Sequence, residues 1–226
     1  MKFFAFDAAL DEQLKLVQRR IRKLMNGEIA AQLRAAGMDY AKLYGVSLVH
    51  LRQFSQELKP GKDLADRLWH RNIRETMILA TMLAPKEDFP DALLAQWADG
   101  VQHLELAEQL AFNFLGKRPG SGALLEEWLL HPGQYVRYCS LMALGWQLRF
   151  VGMEVVPVFK SNLSTIEALA ADGGVRRAVV HCLKMGGRFS ADLAEPVEVL
   201  ARKWQDGSDP VLQEAGTEIL FELGKS

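Results

Sequence analysis

In the stretch HPGQYVRYCSLMALGW, residues 131–146, a single arginine, Arg137, stands at the start of a nearly all-apolar helical pattern. A cation in the first turn of a helix opposes the positive end of the macrodipole unless an anion compensates it. That anion can be a carboxylate of this chain or a phosphate outside it. Arg74 and Arg176, with Arg177 beside it, open apolar stretches in the same way, so anion binding is the chemistry these residue types and spacings support. Metal and nucleophile chemistry find no such pattern. The five histidines, at 50, 70, 103, 131 and 181, lack metal-ligand spacing with acidic neighbours, and no GxGxxG, GxxxxGK[ST] or GxSxG string occurs. No metal or organic cofactor is therefore expected. GKRPGSG, residues 116–122, puts two cations among glycines within reach of a phosphate, yet without a following lysine and Ser/Thr pair it reads as an inter-helix loop.

The elements that must position these cations are helices. Apolar residues recur at helical spacing, as in Leu10, Leu14, Val17, Ile21 and Leu24, and no segment shows the alternation of a strand. Short breaks at Asn26, Lys59, Pro85, Gly116, His131, Asp172 and Asp206 cut the chain into roughly a dozen helices joined by turns that favour antiparallel neighbours. Five segments align without gaps: NIRETMILATML, LAEQLAFNFL, YVRYCSLMAL, GVRRAVVHCL and VLQEAGTEIL. Their shared position holds Arg74, Glu108, Arg137, Arg176 and Gln213, at intervals of about 29 to 39 residues. Helix pairs that cannot bury their apolar faces alone stack on one another, which is the logic of HEAT-like repeats. The expectation is an all-α fold, an α-α superhelix of HEAT-like, ARM-type repeats. It would form a curved right-handed solenoid in one domain over residues 1–226, with the second helices lining the concave surface. Two readings of the arginines remain open. Each can pair with an acidic residue of the adjacent repeat in a structural ladder, or the row can form a groove for a polyanion.

Composition narrows the partners. A chain of 226 residues with 49% hydrophobic content can bury a substantial core, and Cys139 and Cys182, each inside a helical pattern, read as buried thiols. The net charge of −1 excludes a generally basic coat, but residues 1–75 carry 14 basic and 9 acidic side chains against 13 and 19 in the remainder. The run QRRIRK, residues 18–23, is the densest cluster, either a solvated helix face or a point of attraction for an anion. No apolar run reaches the roughly 18 residues of a membrane span, so a cytoplasmic monomer without a membrane partner is expected.

GVSLVHLRQFSQEL at residues 45–58 and LADRLWHRNIRETMILATMLA at residues 64–84 resemble the N-terminal repeats of the bacterial DNA alkylation repair proteins of the AlkD type. The resemblance continues through FNFLG, EEWLLHPGQYVRY and GVRRAVVHCL, covering about residues 40–190 in order. It implies a HEAT-like solenoid that holds double-stranded, alkylated DNA on its concave face, as DNA glycosylases that excise cationic N-alkylated purines do. It also implies a backbone-contacting arginine, matched by Arg137, and a carboxylate near the lesion. The count back from FLG places that carboxylate at Glu108, with Glu105 one turn earlier and Asp99 as a more distant substitute.

The aromatics depart from the family pattern. Leu104 stands where one tryptophan is expected and His181 where the other is; Trp97 on the preceding helix is either another source of an aromatic face or core packing. A leucine cannot supply the cation–π attraction, about 0.5 to 2 kcal/mol per ring, that a cationic lesion draws on. Glu108 can hold negative charge near the sugar as the base departs, or it can balance Arg137; His181 can stack on a base, touch a phosphate, or simply be satisfied by its neighbours. The expectation is DNA binding through Arg74, Arg137, Arg176 and Arg177, with excision that is weak or narrow; the alternative is a noncatalytic scaffold for DNA or protein.

Overall fold

A computed structural model describes residues 2–225, and within them the chain is helical throughout, with no strand beyond one isolated bridge between Lys42 and Ile73. Its contacts divide into two compact units, Met1–Phe114 and Leu115–Ser226. The first holds α1 (Ala8–Lys23), α2 (Gly27–Ala35), α3 (Leu48–Gln56), α4 (Lys62–Trp69), α5 (Arg74–Leu83), α6 (Asp91–Ala98) and α7 (Leu104–Asn113). The second holds α8 (Gly122–Leu129), α9 (Gln134–Phe150), α10 (Val156–Ser161), α11 (Leu163–Leu169), α12 (Arg176–Phe189), α13 (Ala191–Gln205) and α14 (Pro210–Glu222), with 3-10 turns at Leu115–Lys117 and Met153–Val155.

Local chemistry sets the helix starts. The Asp7 carboxylate accepts from the Leu10 amide, the Asn26 side chain from Glu28 and Ile29, and the Asp209 carboxylate from Val211, with Pro210 at the first helical position. The buried faces then pair consecutive helices: α4 with α5, α8 with α9, α12 with α13, and α13 with α14. Polar pins run between them. In the first unit the Asn113 amide donates to the Thr81 hydroxyl at 3.0 Å, joining α7 to α5, and in the second the Ser140 hydroxyl donates to the Leu125 carbonyl at 2.7 Å, joining α9 to α8. Gly216 is required by proximity. A Cβ on Gly216 would lie 2.4 Å from the Ala201 carbonyl oxygen and 2.9 Å from the Gln205 nitrogen, so α14 crosses α13 with backbones in contact. Cys139 and Cys182 are buried, and burial pushes both thiols above their ordinary range.

Candidate nucleic-acid interface

In the first unit the arginine of the repeat position is taken up by its own fold. Arg74 is 3% exposed and grips Glu105 with two parallel bonds, Nε to Oε2 at 2.7 Å and Nη2 to Oε1 at 2.5 Å. Its Nη1 donates to the Val46 carbonyl at 2.9 Å and to Glu75 at 3.2 Å. Glu75, fully buried, accepts in turn from the Tyr44 and Val46 amides, so the cluster fastens the 44–46 loop to α5 and α7. Four of the five guanidinium donors are thereby used inside the protein, and the planar fork matches the carboxylate in the geometry that makes such pairs strong. This corrects the expectation that Arg74 contacts DNA, because a buried and internally paired arginine presents nothing to a phosphate. Glu105, the nearer substitute carboxylate, belongs to the same pair. The Tyr40 hydroxyl lies 3.5 Å from it, and the His103 ring stacks on Tyr40 at 4.0 Å. Burial holds His103 below its ordinary value.

The first unit's two tryptophans are also internal. Trp97 is fully buried, stacked on Trp69 at 4.3 Å with the rings 2° from parallel, and its Nε1 donates to Asp66 at 3.1 Å. It is a core residue and offers no face to a ligand, which settles the two roles open for it in favour of core packing. Asp99 is exposed beside α6, Leu104 opens α7 at 39% exposure, and Glu108 is half-buried four residues further along the same helix.

The second unit answers what compensates Arg137. Its Nη1 donates to the His131 and Pro132 carbonyls, both at 2.8 Å, and its Nη2 to Asp172 at 2.8 Å. Arg176 makes the same gesture one repeat later, Nε donating to the Ala170 carbonyl at 2.7 Å and Nη2 to Ala171 at 3.3 Å. In the repeat after that the Gln213 amide donates to the Gly207 carbonyl at 2.7 Å. Each side chain reaches back five or six residues to carbonyls of the turn that follows the preceding helix, close to the negative end of that helix's dipole. In the second unit the shared position of the repeat is thus a clamp on the turn within the helix pair. Antiparallel pairing puts one helix's C-terminus beside the next helix's N-terminus, and this makes a first-turn cation favourable.

The clamp leaves a polar surface. Arg137 keeps 20% of its side chain exposed and Asp172 37%. The hydrogen bond from Arg137, then that from the Gly174 amide, hold the Asp172 carboxyl below the usual carboxylate range. Gly174 lies directly against the Gln134 side chain, so the first turn of α9 and the turn before α12 are contiguous. Neither α9 nor α12 carries a side-chain cap at its start. Arg177 is exposed beside them, and together with Arg176, His181, Lys184 and Glu214 it lines a groove of about 470 Å³. Lys184, which sequence reasoning missed, pairs with Glu218 at 2.5 Å. His181 is wedged against Gly145 and Trp146, the ring centroids 4.8 Å apart, and its Nε2 is buried without a hydrogen-bond partner. Burial, then the charges of Lys184 and Arg177, push its pKa down to about 4, so it is neutral at physiological pH. Among the described residues no group of three or more His, Cys, Asp or Glu can hold a metal ion, and no helix is long and apolar enough to cross a membrane.

Comparison with known proteins places this geometry. Residues 17–196 match the family described as DNA alkylation repair enzyme. A solved structure from a new family of proteins related to the HEAT-like repeat DNA glycosylases, with affinity for branched DNA structures, is similar over 93% of this chain and 94% of that one. Its TM-score is 0.72 and its identity 15%, which establishes a shared HEAT-like fold. None of the curated proteins compared matches the chain.

Proposed function

The chain belongs to the DNA alkylation repair enzyme family, and from that premise we propose that it is a DNA-binding protein that grips the phosphates of duplex and branched DNA with its second unit. The observation that carries this reading is the meeting of two uncapped helix starts, α9 and α12, at Asp172, with Arg137, Arg176 and Arg177 on the surface they share. Open helix N-termini flanked by arginines are a ready-made phosphate site. Affinity for branched DNA in a protein of the same fold supports the choice of partner. Leu104 in place of an aromatic, and a neutral His181 turned into the α9–α12 contact, argue against efficient excision.

The test is binding of a duplex and of a three-way junction at salt between about 50 and 200 mM, where phosphate contacts weaken steeply. Arg177→Ala should lower affinity for all sequences alike and reduce the salt slope by about one. Salt-insensitive binding, or none, would overturn the proposal. A second reading, excision of cationic N-alkylated purines, has one observation in its favour, the half-buried carboxylate of Glu108 on α7. It is tested by release of methylated base from methylated duplex DNA, against a control without protein.

A further inference from the structure

A ridge of aromatic rings, its outer ring lying under two cations, borders the groove of the second unit. Trp146 and Phe150, one helical turn apart on α9, stack at 6.0 Å, and His181 of α12 meets the Trp146 ring at 4.8 Å. Because His181 also lines the groove, ridge and groove are continuous. Phe150 is 43% exposed. Lys117 Nζ sits 5.1 Å from its ring centroid and the Arg149 guanidinium 5.8 Å.

The fold holds this arrangement in place. Gln147, buried between the two rings in sequence, directs its amide to the Leu115 and Arg118 carbonyls at 2.8 and 2.9 Å, and Ser121 donates to Arg118 at 2.7 Å. This ties the GKRPGSG loop to the same turn of α9 that displays Trp146 and Phe150, and so brings Lys117 over Phe150. The loop's nearby carboxylate, Glu154, accepts from the Gly120 amide at 2.6 Å.

Resting on the reading of the second unit as a DNA-binding surface, we infer that the Trp146–Phe150 ridge is a stacking platform for an unpaired nucleobase, with Lys117 and Arg149 taking the phosphates on either side. A half-exposed ring with two cations over it fits a base and its backbone together, the base taking the cations' place on the ring and the cations moving to its phosphates, since every base has a π-face and every nucleotide a negative charge. An aliphatic peptide segment would use the ring but not the cations. Branched DNA exposes such bases at its junctions, whereas an intact duplex keeps them stacked inside.

The experiment uses the full chain, with a three-way junction carrying 2-aminopurine at an unpaired position and a fully paired duplex of equal length. Binding should quench the 2-aminopurine. Phe150→Ala should relieve the quenching and weaken junction affinity roughly 5- to 150-fold, the range for one stacked base, with duplex affinity changed less than about two-fold. Phe150→Tyr should retain both signals. Circular dichroism checks that Phe150→Ala is folded; if it is not, the double variant Lys117→Ala/Arg149→Ala is measured in its place and should lose junction affinity over duplex affinity. Junction affinity and quenching that survive these substitutions overturn the platform while leaving DNA binding intact. Failure of the unaltered protein to bind even the duplex overturns the DNA-binding reading as well, so the two failures are distinguishable.

Discussion

Replacing Arg74 with methionine separates a structural ladder from a phosphate groove. The substitution keeps an unbranched side chain but removes the cation that faces Glu105 at 2.5 and 2.7 Å and Glu75 at 3.2 Å. Glu75 is fully buried and the Glu105 side chain 12% exposed, so two carboxylates would remain in the interior with their cation gone. The Val46 carbonyl would also lose a donor at 2.9 Å. Breaking a buried pair by removing one partner costs about 3–5 kcal/mol, because the surviving charge stays desolvated. Glu105→Gln should cost less, about 1–3 kcal/mol, since Arg74 keeps Glu75 and one amide oxygen to donate to while losing the second acceptor. Urea unfolding gives the loss, and hydrogen exchange of peptides from α5, α7 and the 44–46 loop should localise it to the first unit. DNA affinity of the folded variant should be unchanged. A loss below about 1 kcal/mol together with weakened DNA binding would refute the ladder and return Arg74 to the groove.

Three further outcomes follow from individual contacts. His181 has a folded pKa of about 4 against 6.5 in a free side chain, so between those values the unfolded chain binds more protons and stability rises with pH. About 2–3 kcal/mol should disappear as pH falls from 6.5 to 4, and His181→Gln should flatten that part of a stability–pH curve. Gly216→Ala should destabilise by at least about 2 kcal/mol in urea unfolding, since its methyl group would meet the Ala201 and Gln205 backbone rather than a side chain able to move. Cys139 and Cys182 should resist iodoacetamide in the folded protein and react on unfolding; labelling at native rates would contradict their burial.

Helical periodicity made the all-α repeat fold legible, and self-similarity located the one position in each repeat that carries a polar function. Its direction was not legible. Arg74, Arg137 and Arg176 look alike along the chain, but their environments depend on residues 31 or 35 positions away: Glu105 for Arg74 and Asp172 for Arg137. Spacing of about one repeat between arginine and carboxylate was the available signal, and it fits the ladder better than the groove. Trp97 illustrates the same limit, because its indole N–H is matched by Asp66, again 31 residues distant, and that match turns a candidate ligand surface into core. At His181 the sequence marked a departure from the family's aromatic. What it could not convey was that Gly145, on another helix, leaves the space into which the ring sinks.

Two members of the series do not make the clamp: Arg74, which is held by Glu105 and Glu75, and Glu108. Arg137, Arg176 and Gln213 all donate to the turn behind them, and a carboxylate cannot do so. A side chain that departs from the local rule is the kind of position where function is sought. Glu108→Gln tests it by removing the charge at nearly constant volume, since the amide can both donate and accept. On the DNA-binding proposal, neither protein releases methylated purines faster than the control without protein, and both bind the junction alike. Release by the unaltered protein that Glu108→Gln abolishes, at unchanged stability and DNA affinity, would make the carboxylate the group that stabilises positive charge on the sugar, and excision would replace phosphate binding as the main activity. A stability loss above about 1 kcal/mol would instead assign Glu108 to the fold.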